Sequence, residues 1–292
     1  MTTWRLRTTT LDSSDHTLIM GVVNVTPDSF SDGGAFHEGA RLVHERAIVH
    51  GLGLIAAGAD VVDVGGESTR PGAEAVAEDL ELERVLPVIG GLVGAGAVTS
   101  VDTSKPAVAA AALQAGAEIV NDVTSLASPG MAAVCAGSGC GVVLMHMQGT
   151  PQTMQARPSY ADVVTEVASV LRRAADDAIA AGIPPDRICL DPGIGFGKTA
   201  AHSLALLRSL DRLVALGHPV LVGPSRKSFL GAVLEAAGHP ASAELRDPAT
   251  FAAVALAVAK GAAVVRVHDV VGALQAARTA DAIVRSIVLP DS

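Results

Sequence analysis

Side chains that accept hydrogen bonds stand at the ends of several short apolar runs in this sequence. They are Asp102, Asn121 and Asp191, with Asp63 inside a further run. A carboxylate can accept two parallel N–H bonds from a guanidine-like edge, so Asp and Asn together suit an aminopyrimidinone ring. The same groups could also hold a metal ion or act as bases. For Asp63 we expect a buried structural carboxylate that a neighbour satisfies.

A second set of side chains is cationic and suits an anionic ligand. Its members also follow or end apolar runs, and they are Arg70, Lys198, Arg226, Lys227, Arg266 and His268. Guanidinium groups bind phosphate oxygens in a bidentate manner. For any single Arg or Lys a solvated surface charge is the simpler interpretation, and it fits Lys198 better than Arg266. Arg266 lies within an apolar run, where an unpaired charge would be costly.

The glycine-rich stretch DPGIGFGKT, residues 191–199, resembles part of a nucleotide-binding loop. Its end matches the phosphate-loop pattern GxxxxGK[ST]. The first glycine of that pattern falls on Pro192, which has no N–H to donate to a phosphate. No Ser-His-Asp or Cys-His arrangement is evident, and no histidine pair has metal-ligand spacing. The stretch therefore favours a glycine loop with a different role.

Charge and cysteine content narrow the class of protein. A formal net charge of −9 and a pI near 5.4 argue against nucleic acid or an anionic membrane as a partner. The three cysteines form no CxxC pair, so we expect a reduced, cytoplasmic protein without a zinc site. The N-terminal segment lacks the apolar core of a signal peptide. No apolar run approaches membrane-spanning length without a charge or a glycine.

Eight short runs rich in Val, Ile and Leu recur along the chain and predict strands that are buried on both faces. They begin at Leu18, Asp60, Ala97, Glu118, Gly141, Ile188, Pro219 and Ala263. Ala- and Leu-rich segments between them predict helices, and several end in a glycine just before the next run. The pattern predicts an α/β protein with a (β/α)8 TIM barrel. Residues 1–17 would form an N-terminal cap segment and residues 18–292 the catalytic domain.

Active sites of such barrels lie at the C-terminal ends of the strands, so the polar side chains named above should meet at one rim. Three connections at that rim are unusually long, at residues 26–39, 68–79 and 148–160. Loops of this length in a compact domain are commonly functional lids, with plain disorder as the alternative.

Eight segments together resemble the dihydropteroate synthase family. In chain order they are GVVNVTPDSFSDGG, GGESTRPGA, SVDTSK, IVNDVT, VLMHMQGTPQTMQ, LDPGIGFGKT, GPSRKSFLG and RVHDV. The resemblance covers nearly the whole chain and implies a TIM barrel that forms a homodimer. The implied reaction joins 6-hydroxymethyl-7,8-dihydropterin pyrophosphate to 4-aminobenzoate and releases pyrophosphate and 7,8-dihydropteroate for folate synthesis. Two alternatives are a pterin-dependent methyltransferase on the same barrel and a non-catalytic pterin-binding paralogue.

The resemblance also implies roles for individual residues. The pterin pocket corresponds to Asp102, Asn121, Met145, Asp191 and Lys227. The pyrophosphate site corresponds to Thr69, Arg70, Arg266 and His268, and the Mg²⁺ contact to Asn24. The aminobenzoate side corresponds to Arg70, Pro71, Phe196, Lys227 and Ser228. Those implied to be catalytic are Asp102, Lys227, Arg266 and His268.

An aromatic amine is neutral at physiological pH and needs no strong base to act as a nucleophile. The resemblance implies that the C–O bond to pyrophosphate ionises before attack, and this fits the residues better than acid–base catalysis, with Asp102 as a nearby anion. One departure from the family pattern stands out. After IVNDVT the family usually has a glycine, whereas this chain has Ser125, Leu126 and Ala127.

Overall fold

The computed structural model describes residues 2–26, 38–69 and 72–285 of the chain. Arg70, Pro71 and most of the first long connection lie outside the described residues.

The strands form a short hairpin and a parallel barrel. The hairpin consists of β1 (Thr3–Arg5) and β2 (Thr10–Asp12), which pair antiparallel. The parallel strands are β3 (Leu18–Asn24), β4 (Val61–Gly65), β5 (Thr99–Asp102), β6 (Ile119–Asp122), β7 (Gly141–Met145), β8 (Ile188–Asp191), β9 (Leu221–Val222) and β10 (Val264–Val267). Their order in the sheet is β8-β7-β6-β5-β4-β3-β10-β9, and an isolated parallel bridge between Leu190 and Val220 joins its two ends. The predicted (β/α)8 barrel is confirmed.

Helices alternate with the strands around the barrel. They are α1 (Glu38–Ala56), α2 (Glu78–Gly94), α3 (Pro106–Gln114), α4 (Met131–Ser138), α5 (Val163–Ala180), α6 (Ala200–Arg208), α7 (Leu210–Val214), α8 (Ser228–Ala236), α9 (Asp247–Ala259) and α10 (Val270–Val284). Short 3-10 turns occupy Pro185–Arg187 and Ala243–Arg246. None of the described helices is long and apolar enough to cross a membrane.

The glycines that precede strands end helices as expected. At Gly116 the backbone has φ 106°, a left-handed conformation that favours glycine. A β-carbon at this position would also lie 2.7 Å from Val93 Cγ1. The N–H groups of Gly116 and Ala117 donate to the carbonyls of Leu113 and Ala112, which closes α3 and directs the chain into β6.

Aliphatic side chains build two cores. The larger one lies between the barrel wall and the helices, where every residue of β4 is buried. The smaller one lies inside the barrel near the starts of the strands, where Trp4 and Leu6 of the N-terminal segment pack with Met20 and Ile119. Trp4 Nε1 donates to the carbonyl of Arg187 at 2.9 Å. The N-terminal segment therefore packs against this end of the barrel.

Candidate functional site

Four positions at the C-terminal ends of neighbouring strands lie side by side. In the parallel register Asn24 pairs with Gly65, Gly65 with Asp102, and Asp102 with Asn121. Gly65 lies between the side chains of its two neighbours, since a β-carbon there would be in van der Waals contact with both, 3.5 Å from Asp102 Cβ and 3.8 Å from Asn24 Oδ1. The fold thus brings three of the predicted site residues to one level of the rim.

Arg266 on β10 reaches across the barrel interior to two carboxylates. Its Nε lies 2.6 Å from Asp63 Oδ2, and its Nη2 lies 2.8 Å from Asp102 Oδ2. Asn121 Nδ2 donates to Asp63 Oδ2 at 3.0 Å. Asp63 is therefore the buried, neighbour-satisfied carboxylate expected from the sequence, although its Oδ1 has no hydrogen-bond partner within the described part of the chain. One guanidinium group compensates two buried carboxylates.

The protonation of Asp102 is finely balanced. Burial raises the pKa of the Asp102 carboxyl to about 7, although Arg266 opposes the rise. Burial therefore favours the protonated form of Asp102 more than in a solvent-exposed aspartate. Donors on a bound ligand, or a further cation, would favour the carboxylate form.

Asp191 ends β8 next to Met145, the last residue of β7. Its Oδ1 accepts a hydrogen bond from the N–H of Gly193 at 2.7 Å, which fixes the carboxylate at the rim. Gly193 has φ 63°, and a β-carbon there would lie 2.0 Å from the carbonyl oxygen of His146. Only glycine allows the loop to turn this close to β7. Burial raises the pKa of Asp191, and Lys227 opposes that rise.

Lys227 directly precedes α8 and meets the glycine loop. Its Nζ donates to the carbonyl of Ile194 and lies 4.5 Å from the centre of the Phe196 ring, within cation–π distance. Burial lowers the pKa of Lys227 to about 8, while Asp191 opposes the shift. Ser228 opens α8 and is exposed. Phe196, Lys227 and Ser228 thus share the side of the rim that the resemblance assigns to aminobenzoate.

Lys198 is buried, so its interpretation as a solvated surface charge was wrong. The residue is 3% exposed, and its Nζ lies 2.9 Å from His146 Nδ1, 3.2 Å from the His146 carbonyl oxygen and 2.9 Å from the Phe196 carbonyl oxygen. The error has a physical cause. The contacts depend on the close approach of the glycine loop to β7, which a local pattern does not reveal.

Two further cations of the predicted set have partners of their own. Arg226 forms a bidentate pair with Asp247 at 2.8 and 2.7 Å, and it adopts a left-handed backbone with φ 57°. It therefore supports the start of α9. His268 follows β10, and its Nδ1 lies 2.9 Å from Ser225 Oγ. This contact fixes the imidazole on the rim side of Arg266, two residues further along the chain.

A charged cluster supports the segment that carries Thr69. Lys105 Nζ donates to both Glu67 and Glu81, and Glu67 Oε2 accepts from the N–H of Val76 at 2.9 Å. These contacts hold Glu67 and the backbone of Val76 next to Lys105, which follows β5. Sequence reasoning missed Lys105 and fully buried Glu81. The motif SVDTSK contains Lys105, but no local signal shows which carboxylates it will meet.

The departure at Ser125 and Leu126 has a defined path. Both residues have left-handed backbones, with φ 56° and 62°. Asp122 stabilises the turn, because its carboxylate accepts from the N–H groups of Thr124 and Leu126. Ser125 Oγ also donates to the carbonyl of Met145 at 2.9 Å. The turn therefore forms without the glycine, and Asn121 still pairs with Asp102 at the end of β6.

The oxygen atoms around Asn24 suit a magnesium ion that the protein binds through few side chains. No group of three or more His, Cys, Asp or Glu side chains among the described residues could hold a metal by itself. Asn24 Oδ1 and the Asp102 carboxylate both lie beside Gly65. Mg²⁺ is commonly bound by one or two protein oxygens together with water and substrate phosphates. The residues present fit an ion that arrives with a diphosphate.

The structure thus brings most of the predicted site residues to one rim, and their individual roles stay predictions. A sequence profile of the family described as "Pterin binding enzyme" matches residues 20–268. The dihydropteroate synthase of Neisseria meningitidis serogroup C is 46% identical over 259 residues, which cover 88% of this chain and 89% of the relative.

Two solved structures are similar over almost the whole chain. The Yersinia pestis dihydropteroate synthase, crystallised in a sulfonamide drug complex, has a TM-score of 0.88 and 41% identity, covering 98% of this chain and 100% of that one. The Xanthomonas albilineans dihydropteroate synthase with 4-aminobenzoic acid has a TM-score of 0.86 and 45% identity, covering 96% of each chain.

Proposed function

Because the chain belongs to the dihydropteroate synthase family, we propose how its rim binds and activates the two substrates of that family's reaction. The activity is the transfer of a pterinylmethyl group from 6-hydroxymethyl-7,8-dihydropterin pyrophosphate to 4-aminobenzoate. One observation carries the proposal for the site. The acceptors Asp102, Asn121 and Asp191 stand on the same rim as Lys227 and Arg266, next to the glycine loop with Phe196.

The acceptors form the pterin pocket. The pterin ring presents an edge rich in N–H donors, and Asp191 is fixed by Gly193 with no described residue donating to its Oδ2. Asn121 can both donate and accept, and Asp102 becomes a carboxylate when donors face it. Met145, 4% exposed at the end of β7, contributes an apolar wall.

The pyrophosphate lies on the cationic side of the rim. Arg266 and His268 would contact its oxygens, joined by Thr69 and Arg70 as the resemblance implies. Charge grows on the leaving group as its C–O bond breaks, and fixed cations stabilise that charge more in the transition state than in the ground state. Asp102 then faces the positive charge that develops on the pterin methylene carbon. The aromatic amine attacks as a neutral nucleophile from the side of Phe196 and Ser228, to which the resemblance also assigns Pro71.

A magnesium ion would complete the pyrophosphate site. Asn24 would contribute a side-chain oxygen to it, while the substrate supplies most of the remaining ligands. When bound, Mg²⁺ stabilises negative charge on the departing pyrophosphate. The cytoplasmic location expected from the sequence stays a prediction.

The experiment that tests the proposal measures pyrophosphate release with each substrate omitted in turn. Release should require the pterin pyrophosphate and 4-aminobenzoate together, and should stop when a chelator removes Mg²⁺ and resume when Mg²⁺ is restored. Pterin binding without any release would identify a non-catalytic paralogue. Transfer of a methyl group without a pyrophosphate requirement would identify the methyltransferase alternative.

We also propose that the chain forms a homodimer through α9 and α10. Several exposed large apolar side chains lie on these two helices, including Leu256 at 65% exposure and Ile283 at 75%. Both line a groove that continues over Phe251 and Ala276. Apolar patches of this kind are common at interfaces between subunits, and a second copy offers the same face in a twofold arrangement.

Replacing Ile283 with glutamate should convert the dimer to a monomer. By symmetry the substitution places two carboxylates in one apolar interface, and burying each costs about 2 kcal/mol or more. The dissociation constant should rise by at least about 10²-fold, measured by sedimentation equilibrium. Val49→Glu on α1 is the matched control, since Val49 is 70% exposed and lies away from this groove. A parent protein that is monomeric, or equal shifts in both variants, would contradict the assigned face.

A further inference from the structure

Lys198 is a buried cation that the substrate roles above do not use. It follows the glycine loop after β8, and only 3% of it is exposed. All three of its hydrogen-bonding contacts are to neutral acceptors, namely the Nδ1 and carbonyl oxygen of His146 and the carbonyl oxygen of Phe196. Within the described part of the chain, no carboxylate lies close enough to pair with it. Burial lowers the pKa of Lys198 to about 7, although the more distant charge of Asp191 opposes the shift. Keeping this side chain charged is therefore costly, and its three neutral acceptors offset part of the cost.

The contact with His146 has a defined chemistry. Burial lowers the pKa of His146 to about 3, and the positive charge of Lys198 adds to the effect. The imidazole is therefore neutral, and its Nδ1 offers a lone pair to the ammonium group while Nε2 carries the proton. His146 in turn is fixed at its backbone, because its backbone N–H donates to the carbonyl of Asp191 at 2.9 Å. Lys198 thus binds to a rigid point at the end of β7.

The contact of Lys198 with the Phe196 carbonyl lies in the glycine loop, which packs closely against the end of β7. Gly197 approaches the backbone of Gln148 so closely that a β-carbon would lie 2.5 Å from its carbonyl oxygen. The carbonyl of Gly197 accepts from Tyr160 Oη at 2.7 Å, and the carbonyl of Phe196 accepts from Lys198. Lys227 Nζ lies 4.5 Å from the centre of the Phe196 ring. The position of Phe196 therefore depends on two lysines, Lys198 at its backbone carbonyl and Lys227 at its ring.

We infer that Lys198 is a positioning residue that sets the affinity for the second substrate by holding Phe196 in place. The inference rests on the proposed function, in which Phe196 faces aminobenzoate. Pterin affinity should depend on Lys198 far less. Asp191 is fixed by Gly193, and Lys227 acts on the Asp191 carboxylate more strongly than Lys198 does.

The test is steady-state kinetics of Lys198→Met, which keeps the length of the side chain and removes its donors. The KM for aminobenzoate should rise by at least about tenfold, because small displacements of a positioning group have large effects. The dissociation constant of a pterin without pyrophosphate, from calorimetry, should change by less than about threefold. Lys260→Met is the matched control, since Lys260 is 45% exposed and, among the described residues, its only ion pair is with Asp211 at 3.7 Å.

A double-mutant cycle separates positioning from general loosening. Phe196→Leu should itself raise the KM for aminobenzoate. If Lys198 acts through Phe196, adding Lys198→Met to Phe196→Leu should change that KM by less than about twofold. Additive effects, or an equal loss of pterin affinity, would overturn the inference.

A second variant covers the case in which Lys198→Met does not fold. Lys198→Gln retains a donor group for the carbonyls of His146 and Phe196 and loses the charge. It should therefore raise the KM for aminobenzoate selectively, but by less than Lys198→Met does. An unchanged KM in a folded Lys198→Gln protein also counts against the inference. Failure of the proposed function looks different, because the parent protein itself would then release no pyrophosphate with both substrates present.

Discussion

Replacing Arg266 with alanine should destabilise the protein by about 3–5 kcal/mol, and the folded fraction should turn over roughly 10²–10³-fold more slowly. Arg266 contacts two buried carboxylates, at 2.6 Å from Asp63 and 2.8 Å from Asp102. Its removal leaves both without a cation in the barrel interior. The slower turnover follows separately from the loss of a charge that would stabilise the departing pyrophosphate.

The stability loss in Arg266→Ala should grow with pH. Arg266 opposes the rise in the pKa of Asp102, so its removal moves that pKa further above 7. A carboxyl whose pKa is higher in the folded than in the unfolded state contributes stability at low pH, which is lost as pH rises through the folded pKa. The deficit relative to the parent should therefore be larger at about pH 8 than at about pH 5.

Urea unfolding at both pH values measures this effect. Arg173→Ala is a suitable control, because Arg173 is exposed and its side chain hydrogen-bonds, within the described part of the chain, to Ser169 alone, at 2.8 Å. Adding Asp63→Asn to Arg266→Ala should recover part of the lost stability, since it removes one unpaired carboxylate. A variant with parental stability at both pH values would show that the ion pairs do not stabilise the fold.

Asp191→Asn should weaken pterin binding by roughly 2–4 kcal/mol, which is between about 30-fold and 10³-fold in the dissociation constant. The asparagine oxygen can keep the hydrogen bond from Gly193, so the fold should be retained. Its amide nitrogen then directs donors at a ligand edge that also donates. Calorimetry with a pterin that lacks pyrophosphate isolates this effect from the leaving-group site.

Asp211→Asn provides the comparison for Asp191→Asn, because the Asp211 side chain is 61% exposed and lies on α7. Pterin affinity should be the same in this variant as in the parent. Equal affinity in the parent and in Asp191→Asn would remove Asp191 from the pterin pocket.

The barrel was predictable from sequence because each strand is a short run of residues buried on both faces. A local pattern therefore carries the signal, and the glycine at Gly116 marks where one unit ends. Polar side chains at strand ends are also placed by topology alone, which explains why Asn24, Asp102 and Asn121 meet. The sequence also indicated that Asp63 would be a buried carboxylate with a neighbour to satisfy it, but it did not show that this neighbour is Arg266.

Side-chain partners between distant segments were less predictable. Lys198 looked like a surface lysine because its sequence neighbours are glycine and threonine, which say nothing about His146 across the loop. Glu81 belongs to an acidic first turn of α2, where exposed carboxylates are usual, yet it is fully buried against Lys105. The burial of a charge depends on which distant segment covers it, and no periodic pattern reports that.

The near-absence of aromatic residues gives the molecule two well-separated optical reporters. Trp4 is the only tryptophan and Tyr160 the only tyrosine of the chain. Trp4 is sealed beneath the strand starts, whereas Tyr160 holds the glycine loop at the opposite end of the barrel. Tryptophan emission therefore records whether the N-terminal segment stays docked. The environment of the Tyr160 ring, by contrast, changes with the loop that carries Phe196.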